Sequence, residues 1–260
     1  MTGTEGLAPL LSGLEQLAGL APNDVLVGRL QRAGPHAALA AKHRPSLDDP
    51  HWAALLDVVT VHETRMFRAA DQLAAFREHF LPSLIADARG RPLRLVSAGC
   101  ATGEEAWTLA IIAARGAAPD WRVLGVDLCR GALAVAEEGH YRLGPPDALR
   151  EMPEGDRALL DIGEEAFAPA SCLRRHVAFR RANLLDPLPA TDATDAILCR
   201  NVLIYLTAEA RRRVLRLLVA ALRLGGVLLL GPTDAPSPGI GLVPMRPLGH
   251  GIWRREGGRG

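Results

Sequence analysis

The chain has 260 residues, 48% of them hydrophobic and 23% charged, with a formal net charge of +1. That length suits one α/β domain with a large core plus a smaller accessory domain, and the near-zero charge excludes a protein that coats nucleic acid. No run of about 18 apolar residues suggests a membrane span, and residues 1–13 lack a signal-peptide pattern.

Cys100, Cys129, Cys172 and Cys199 are far apart, with no metal-ligand spacing and no disulfide framework. This usage fits a reducing cytoplasm. Lys42 is the only lysine among the basic residues. We read that as a compositional bias rather than a functional sign.

Residues 9 to about 88 read as helices separated by Pro and Gly breaks. Leu10, Leu11, Leu14, Leu17 and Leu20 form a helical stripe. Pro22, Asn23 and Asp24 break it and suit the start of the next segment, 25–33. Further helical segments are predicted at 37–42, at 52–59 after Pro50, and at 69–89 with an interruption at Pro82. Between the last two lies 60–68, where polar and apolar residues alternate as in a strap across a cleft. His62-Glu63 is no metal motif, because no second His follows four residues on. No metal site is expected.

From residue 93 short apolar runs alternate with helical stretches. Strands are predicted at 93–98, 122–126, 177–181, 193–199 and 226–230, and helices at 103–115, 131–138 and 208–224. The alternation argues for a doubly wound parallel sheet. The 50-residue gap after Val126 exceeds one crossover helix, so an inserted subdomain is expected over 140–175. Gly and Pro turns around apolar pairs predict an antiparallel hairpin at 240–255.

The turn Ser97-Ala98-Gly99-Cys100-Ala101-Thr102-Gly103-Glu104-Glu105 joins the first strand to its helix. Gly99 lets backbone approach a ligand closely. A phosphate would use the helix N-terminus, yet two carboxylates there would repel it. They suit a ligand carrying an ammonium and a sulfonium, which points to S-adenosyl-L-methionine. Thr102 to Glu105 also fits a capping box, with Glu105 as the reciprocal cap and Glu104 free to face the turn.

Asp127 ends the second strand, where an acid accepts hydrogen bonds from ribose hydroxyls. A helix cap is the plainer alternative. Asn183 and Leu184 follow the third strand; they cap a turn or bind adenine. Arg200 and Asn201 follow the fourth, putting a cation and an amide at the mouth of the cleft.

Together these stretches resemble the CheR family, the protein-glutamate O-methyltransferases of bacterial chemotaxis. The family pattern T-N-x-T-x-F-F-R, S-A-x-x-T-G-E-E, an acid-tipped strand, N-L-L and C-R-N-V-x-I-Y corresponds here to 61–68, 97–105, Val126-Asp127, 183–185 and 199–205. The order and relative spacing match over roughly 10–255. The resemblance implies a Rossmann-like methyltransferase sheet, a small helical N-terminal domain with its strap (1–88), a catalytic domain (89–260) and a small inserted β-subdomain.

It also implies S-adenosyl-L-methionine as cofactor, held by His62, Thr64 and Arg68 of the strap and by Gly99 of the turn. Glu104 would take the methionine end, Asp127 the ribose, and Asn183 with Leu184 the adenine. Arg200 and Asn201 complete the site. Arg68 or Arg200 would orient the substrate carboxylate, with Arg89 and Arg91 as further candidates, and Tyr205 would line the sulfonium pocket.

The implied partner is the cytoplasmic domain of a chemoreceptor or similar signalling protein, met by a monomer. The alternatives are a cofactor-binding regulatory homologue without turnover and a methyltransferase for another substrate. His62 replaces the family's Asn, Met66 its first Phe, Ala106 its Pro, and Gly231-Pro232-Thr233-Asp234 its Gly-His-Ser-Glu. The insert is poor in strand formers and rich in acids, which gives little support for docking a receptor tail by strand addition.

Overall fold

The computed structural model describes residues 5–145, 147–189, 193–236, 238–245 and 251–257. It opens with α1 (Ala8–Ala18), α2 (Asp24–Arg32), α3 (Gly34–Ala40) and α4 (Pro50–Val59). Asn23 caps α2 by accepting from the Leu26 amide at 2.9 Å, and Asp49 caps α4 by accepting from the His51 and Trp52 amides. Pro50 sits at the start of α4, where a missing amide costs nothing. Lys42 is exposed just beyond α3.

A helical run then spans α5 (Ala70–Ala75), a π-helical turn (Phe76–Phe80) and α6 (Leu81–Ala88). The sequence predicts an interruption at Pro82. The run continues instead, because the Leu81 amide reaches back five residues to the Phe76 carbonyl. That wider turn shifts the register just where proline has no amide to offer.

The sheet domain follows as β1 (Leu93–Ala98), α7 (Glu104–Arg115), β2 (Trp121–Asp127) and α8 (Arg130–Glu138). The insert holds β3 (Tyr141–Arg142), β4 (Leu160–Ile162), β5 (Ala166–Pro169) and α9 (Ser171–Arg174). Its strands form a separate antiparallel sheet in the order β3-β5-β4. Then come β6 (Val177–Arg181), β7 (Thr194–Cys199), α10 (Ala208–Ala221), β8 (Leu222–Leu230), β9 (Leu242–Pro244) and β10 (Ile252–Arg255). Helix α10 ends three residues before its predicted end, and β8 starts at once at Leu222, which pairs with Thr194. A register shift then fits Gly225, at φ 76°, into the strand.

The seven-stranded main sheet has the order β6-β2-β1-β7-β8-β10-β9. Its first five strands are parallel, and β10 and β9 close one edge antiparallel, as the hairpin reading expects. The tip of that hairpin, 246–250, lies outside the described residues.

Alternating side chains send Leu95, Val227 and Leu229 into one core, with Phe76, Trp107 and Ile111. They send Val96, Leu228 and Leu230 into a second core on the other face, with Leu14, Trp52 and Leu215. The N-terminal helices thus share a core with the sheet. Among the described residues no helix is long and apolar enough to cross a membrane.

Candidate active site

Strand order reverses between β1 and β7, and ligands in such sheets bind beyond the C-terminal ends of the strands at that point. A cavity opens there. It encloses about 1230 Å³ counting its open mouth, room for a small-molecule ligand, for which roughly 300–1,000 Å³ is usual.

The strand tips supply its floor. Gly99 and Ala101 follow β1, Asp127 ends β2, Asn183 and Leu184 follow β6, and Arg200 and Asn201 follow β7. The strap adds His62, Thr64 and Arg68, and Tyr205 lies beyond Asn201. The structure therefore brings together every expected site residue except Glu104.

The acid in the wall is Glu105. It accepts from the Ser97 hydroxyl and from Arg200 Nε, both at 2.7 Å. Glu104 is buried and takes the Thr102 hydroxyl at 2.7 Å; burial pushes its pKa up. The expected capping box is absent. Gly103, at φ 96°, holds the N-cap position of α7, so Thr102 lies one position too early to cap it and Glu105 turns inward.

Arg200 is buried, with Nε and Nη1 both engaged. Besides Glu105 it donates to the Arg68 carbonyl and to Gln72 Oε1. Arg68 differs: Nη1 donates to the Glu63 carbonyl at 2.8 Å, and its other nitrogens have no partner among the described residues. Arg91 lies at the opposite end of the sheet, forked onto Asp195, and neither it nor Arg89 lines the cavity.

The helix-cap alternative for Asp127 is not realised: α8 begins after Cys129 with no side-chain cap, and the Asp127 carboxylate ties down backbone on two loops instead. Its Oδ2 accepts from the Ala101 amide at 2.8 Å and its Oδ1 from the Cys129 amide at 2.9 Å. It thereby fixes both loops and still faces the cavity, with lone pairs to spare. Asn183 donates to the Leu17 carbonyl at 2.7 Å and accepts from the Leu185 amide at 3.1 Å. The turn-capping alternative is therefore realised, and one N–H of its amide remains. His62 Nε2 lies 3.1 Å from the Asp57 carbonyl oxygen, which can only accept, so that nitrogen carries the proton.

The altered rim is also visible. Asp234 is buried with neither carboxylate oxygen bonded among the described residues, and burial pushes its pKa up. It does not line the cavity.

The N-terminal helices contribute wall that the sequence reading missed. Ala18, Leu20, Ala21 and Leu26 face the cavity, held by an antiparallel bridge between Leu20 and Leu206 and by the Ala21 amide on the Tyr205 carbonyl. Thr60 and Cys129 line it too. No local signal marks these positions, since the apolar ones look like ordinary core.

Several left-handed residues cluster here without being glycine: Phe67 (φ 54°), Ala69 (59°), Ala101 (48°) and Asn201 (59°). Such conformations cost about 1–3 kcal/mol each and gather at functional sites. Gly99, at φ 76°, is required: a Cβ there would meet Val202 Cγ2 at 2.5 Å.

The donor set fits S-adenosyl-L-methionine. Apolar wall from Leu128, Leu184 and Leu185 suits adenine, the strand-tip carboxylate suits ribose hydroxyls, and Gly99 leaves backbone open to the ligand. Among the described residues no group of His, Cys, Asp and Glu is arranged to hold a metal ion.

The family profile for the CheR methyltransferase SAM-binding domain matches residues 62–237. The chain is 33% identical over 187 residues to a chemotaxis protein methyltransferase of Listeria monocytogenes, covering 70% of each chain. It is 31% identical over 190 residues to chemotaxis protein methyltransferase 1 of Pseudomonas aeruginosa, covering 70% of this chain and 69% of that one. Over 201 residues it is 34% identical to the "Probable biofilm formation methyltransferase WspC" of Pseudomonas putida, covering 75% of this chain and 46% of that longer one. With the cleft at the strand-order reversal and the five motifs arranged around it, the chain belongs to the CheR family of S-adenosyl-L-methionine-dependent methyltransferases.

Proposed function

We propose that this methyltransferase esterifies glutamate side chains in the cytoplasmic domain of a chemoreceptor or a closely related signalling protein. The observation that carries the reading is Arg68. It stands in the cavity wall with donors to spare, while Arg200 is committed to Glu105, the strap carbonyl and Gln72. A guanidinium with a free edge receives a carboxylate by two parallel hydrogen bonds. The names of the relatives supply the class of partner.

When bound, S-adenosyl-L-methionine supplies a methyl group on a sulfonium, already activated for transfer. A glutamate carboxylate has an ordinary pKa of about 4.3 and is ionised at neutral pH, so the protein need not supply a base. Its task is to position and to desolvate. Arg68 orients the carboxylate; Asp127, Asn183 and Leu184 hold the nucleoside; Tyr205 and the strap exclude water. On this reading the protein works in the cytoplasm as a monomer.

The test uses methyl-labelled cofactor with receptor cytoplasmic fragments. The expected product is a labelled receptor whose label is released as methanol by mild base. Label that withstands base, or no label with any fragment, would sink the proposal.

A further inference from the structure

The insert reaches the cavity without lining it. Two of its side chains end on two loops that line the cavity. Tyr141 of β3 donates to the Thr102 carbonyl, in the glycine-rich turn, at 2.7 Å. Glu151, between β3 and β4, reaches the strap. Its Oε1 accepts from Arg65 Nε at 2.7 Å and also from Arg65 Nη2, and its Oε2 accepts from the Ala69 amide at 2.7 Å.

Ala69 precedes the helical run that begins at Ala70, and no side chain of the run's own caps it. The Glu151 carboxylate fills that position from another part of the chain, where the helix dipole favours a negative charge. Partial burial works to raise the Glu151 pKa, and the bonds from Arg65 and the Ala69 amide outweigh it, so the carboxyl sits below its ordinary value.

Arg68 lies between two left-handed residues, Phe67 and Ala69. Neither would keep that backbone unaided. Three contacts from three elements impose it. The Phe67 amide donates to Thr108 Oγ1 of α7 at 3.0 Å, Arg200 donates to the Arg68 carbonyl, and the Ala69 amide donates to Glu151. Thr108 and Arg200 are buried, whereas the Glu151 side chain is 24% exposed. It is the one leg of the three within reach of solvent or a partner.

We infer that Glu151 is a positioning residue, by which the insert holds the strap, and Arg68 with it, over the cofactor cleft. Binding at the cleft and events on the insert are then coupled, and the coupling runs equally in both directions. The inference rests on the cleft being the cofactor site.

The test uses the full chain and S-adenosylhomocysteine, so that turnover plays no part. Calorimetric titration of Glu151→Ala should show binding weakened between about fivefold and thirtyfold, the range common to a lost cap and to site-to-site coupling. Glu151→Gln, which keeps an oxygen for the Ala69 amide, should lose less. Hydrogen exchange at 67–70 should quicken in Glu151→Ala. Adding S-adenosylhomocysteine should slow exchange at 147–152 in the parent chain but not in that variant.

Unchanged affinity in a folded Glu151→Ala protein overturns the inference, as does exchange at 67–70 equal to the parent's. If the alanine variant does not fold, the same two readouts on Glu151→Gln decide. Failure of the parent chain to bind S-adenosylhomocysteine is a different outcome, and overturns the assignment of the cleft together with the inference.

Discussion

Arg68 and Arg200 are equivalent candidates in the sequence, and their surroundings separate them. Arg200 neutralises Glu105 in a buried pair, with the two side chains 4% and 10% exposed. Removing one partner of such a pair leaves a buried charge and costs about 3–5 kcal/mol. Arg200→Ala should therefore lower the thermal midpoint by roughly 6–20 °C, at about 2–4 °C per kcal/mol for a chain near this size. Arg68→Ala should melt with the parent, yet lose about tenfold to a hundredfold in kcat/KM, the worth of a charge-assisted hydrogen bond. Melting curves and steady-state kinetics on both variants check this. Arg200→Ala as stable as the parent would contradict it.

At the scale of elements, Asp195 knots the far end of the sheet. It lies in β7 with a side chain that is 0% exposed, accepting a fork from Arg91, the Arg94 amide at 2.9 Å and Arg223 Nε at 2.6 Å. Burial works to raise its pKa; the Arg91 bonds, the Arg94 amide and Arg223 outweigh it and hold the carboxyl below its ordinary value. A depressed carboxyl pKa gives stability that is full above the unfolded value, about 3.9, and lost as pH falls through the folded one. Asp195→Asn should therefore be much less stable than the parent at pH 7, with the gap closing below about pH 4. Urea unfolding at pH 7, 5 and 3 measures it. A gap that stayed constant would show that packing, not charge, is what the substitution removes.

The parallel strands were legible because a run such as Ala196 to Cys199 is apolar on both faces and ends in polar residues at its tip. The paired hairpin strands at 242–244 and 252–255 were legible from their turn residues. The insert's strands were foreseen only as a subdomain, since β3 has two residues and β4 three, too few to show a period. The cavity floor was readable because ligand-facing groups sit at strand tips, where the fold itself fixes the address. Which of two adjacent glutamates faces inward depends on where α7 begins, and a one-residue shift in that start reverses the answer. The wall formed by Leu20 and Leu26 was hidden because apolar side chains read alike whether they face a neighbour or a ligand.

For the whole molecule, the N-terminal helices matter beyond the cavity. Leu14, Leu30, Trp52, Leu55 and Leu56 share a buried cluster with Ile197, Leu228 and Leu230 of the sheet. A fragment lacking residues 1–59 would leave α10 as cover for that face and bare the apolar surface the helices shielded, more than the few hundred Å² of apolar patch that soluble monomers tolerate. It should aggregate or melt without a cooperative transition, as judged by near-ultraviolet dichroism and calorimetry. A sharp, reversible transition in the fragment would show that the sheet domain holds its fold alone.

The exposed Lys42 has a practical use. Acylating dyes find a single lysine side chain in this sequence. It lies between α3 and α4, among the N-terminal helices. A fluorophore placed there, paired with an acceptor on the exposed Cys172 of the insert, turns the native chain into a two-colour ruler between its N-terminal helices and its insert, with no substitution in the cavity.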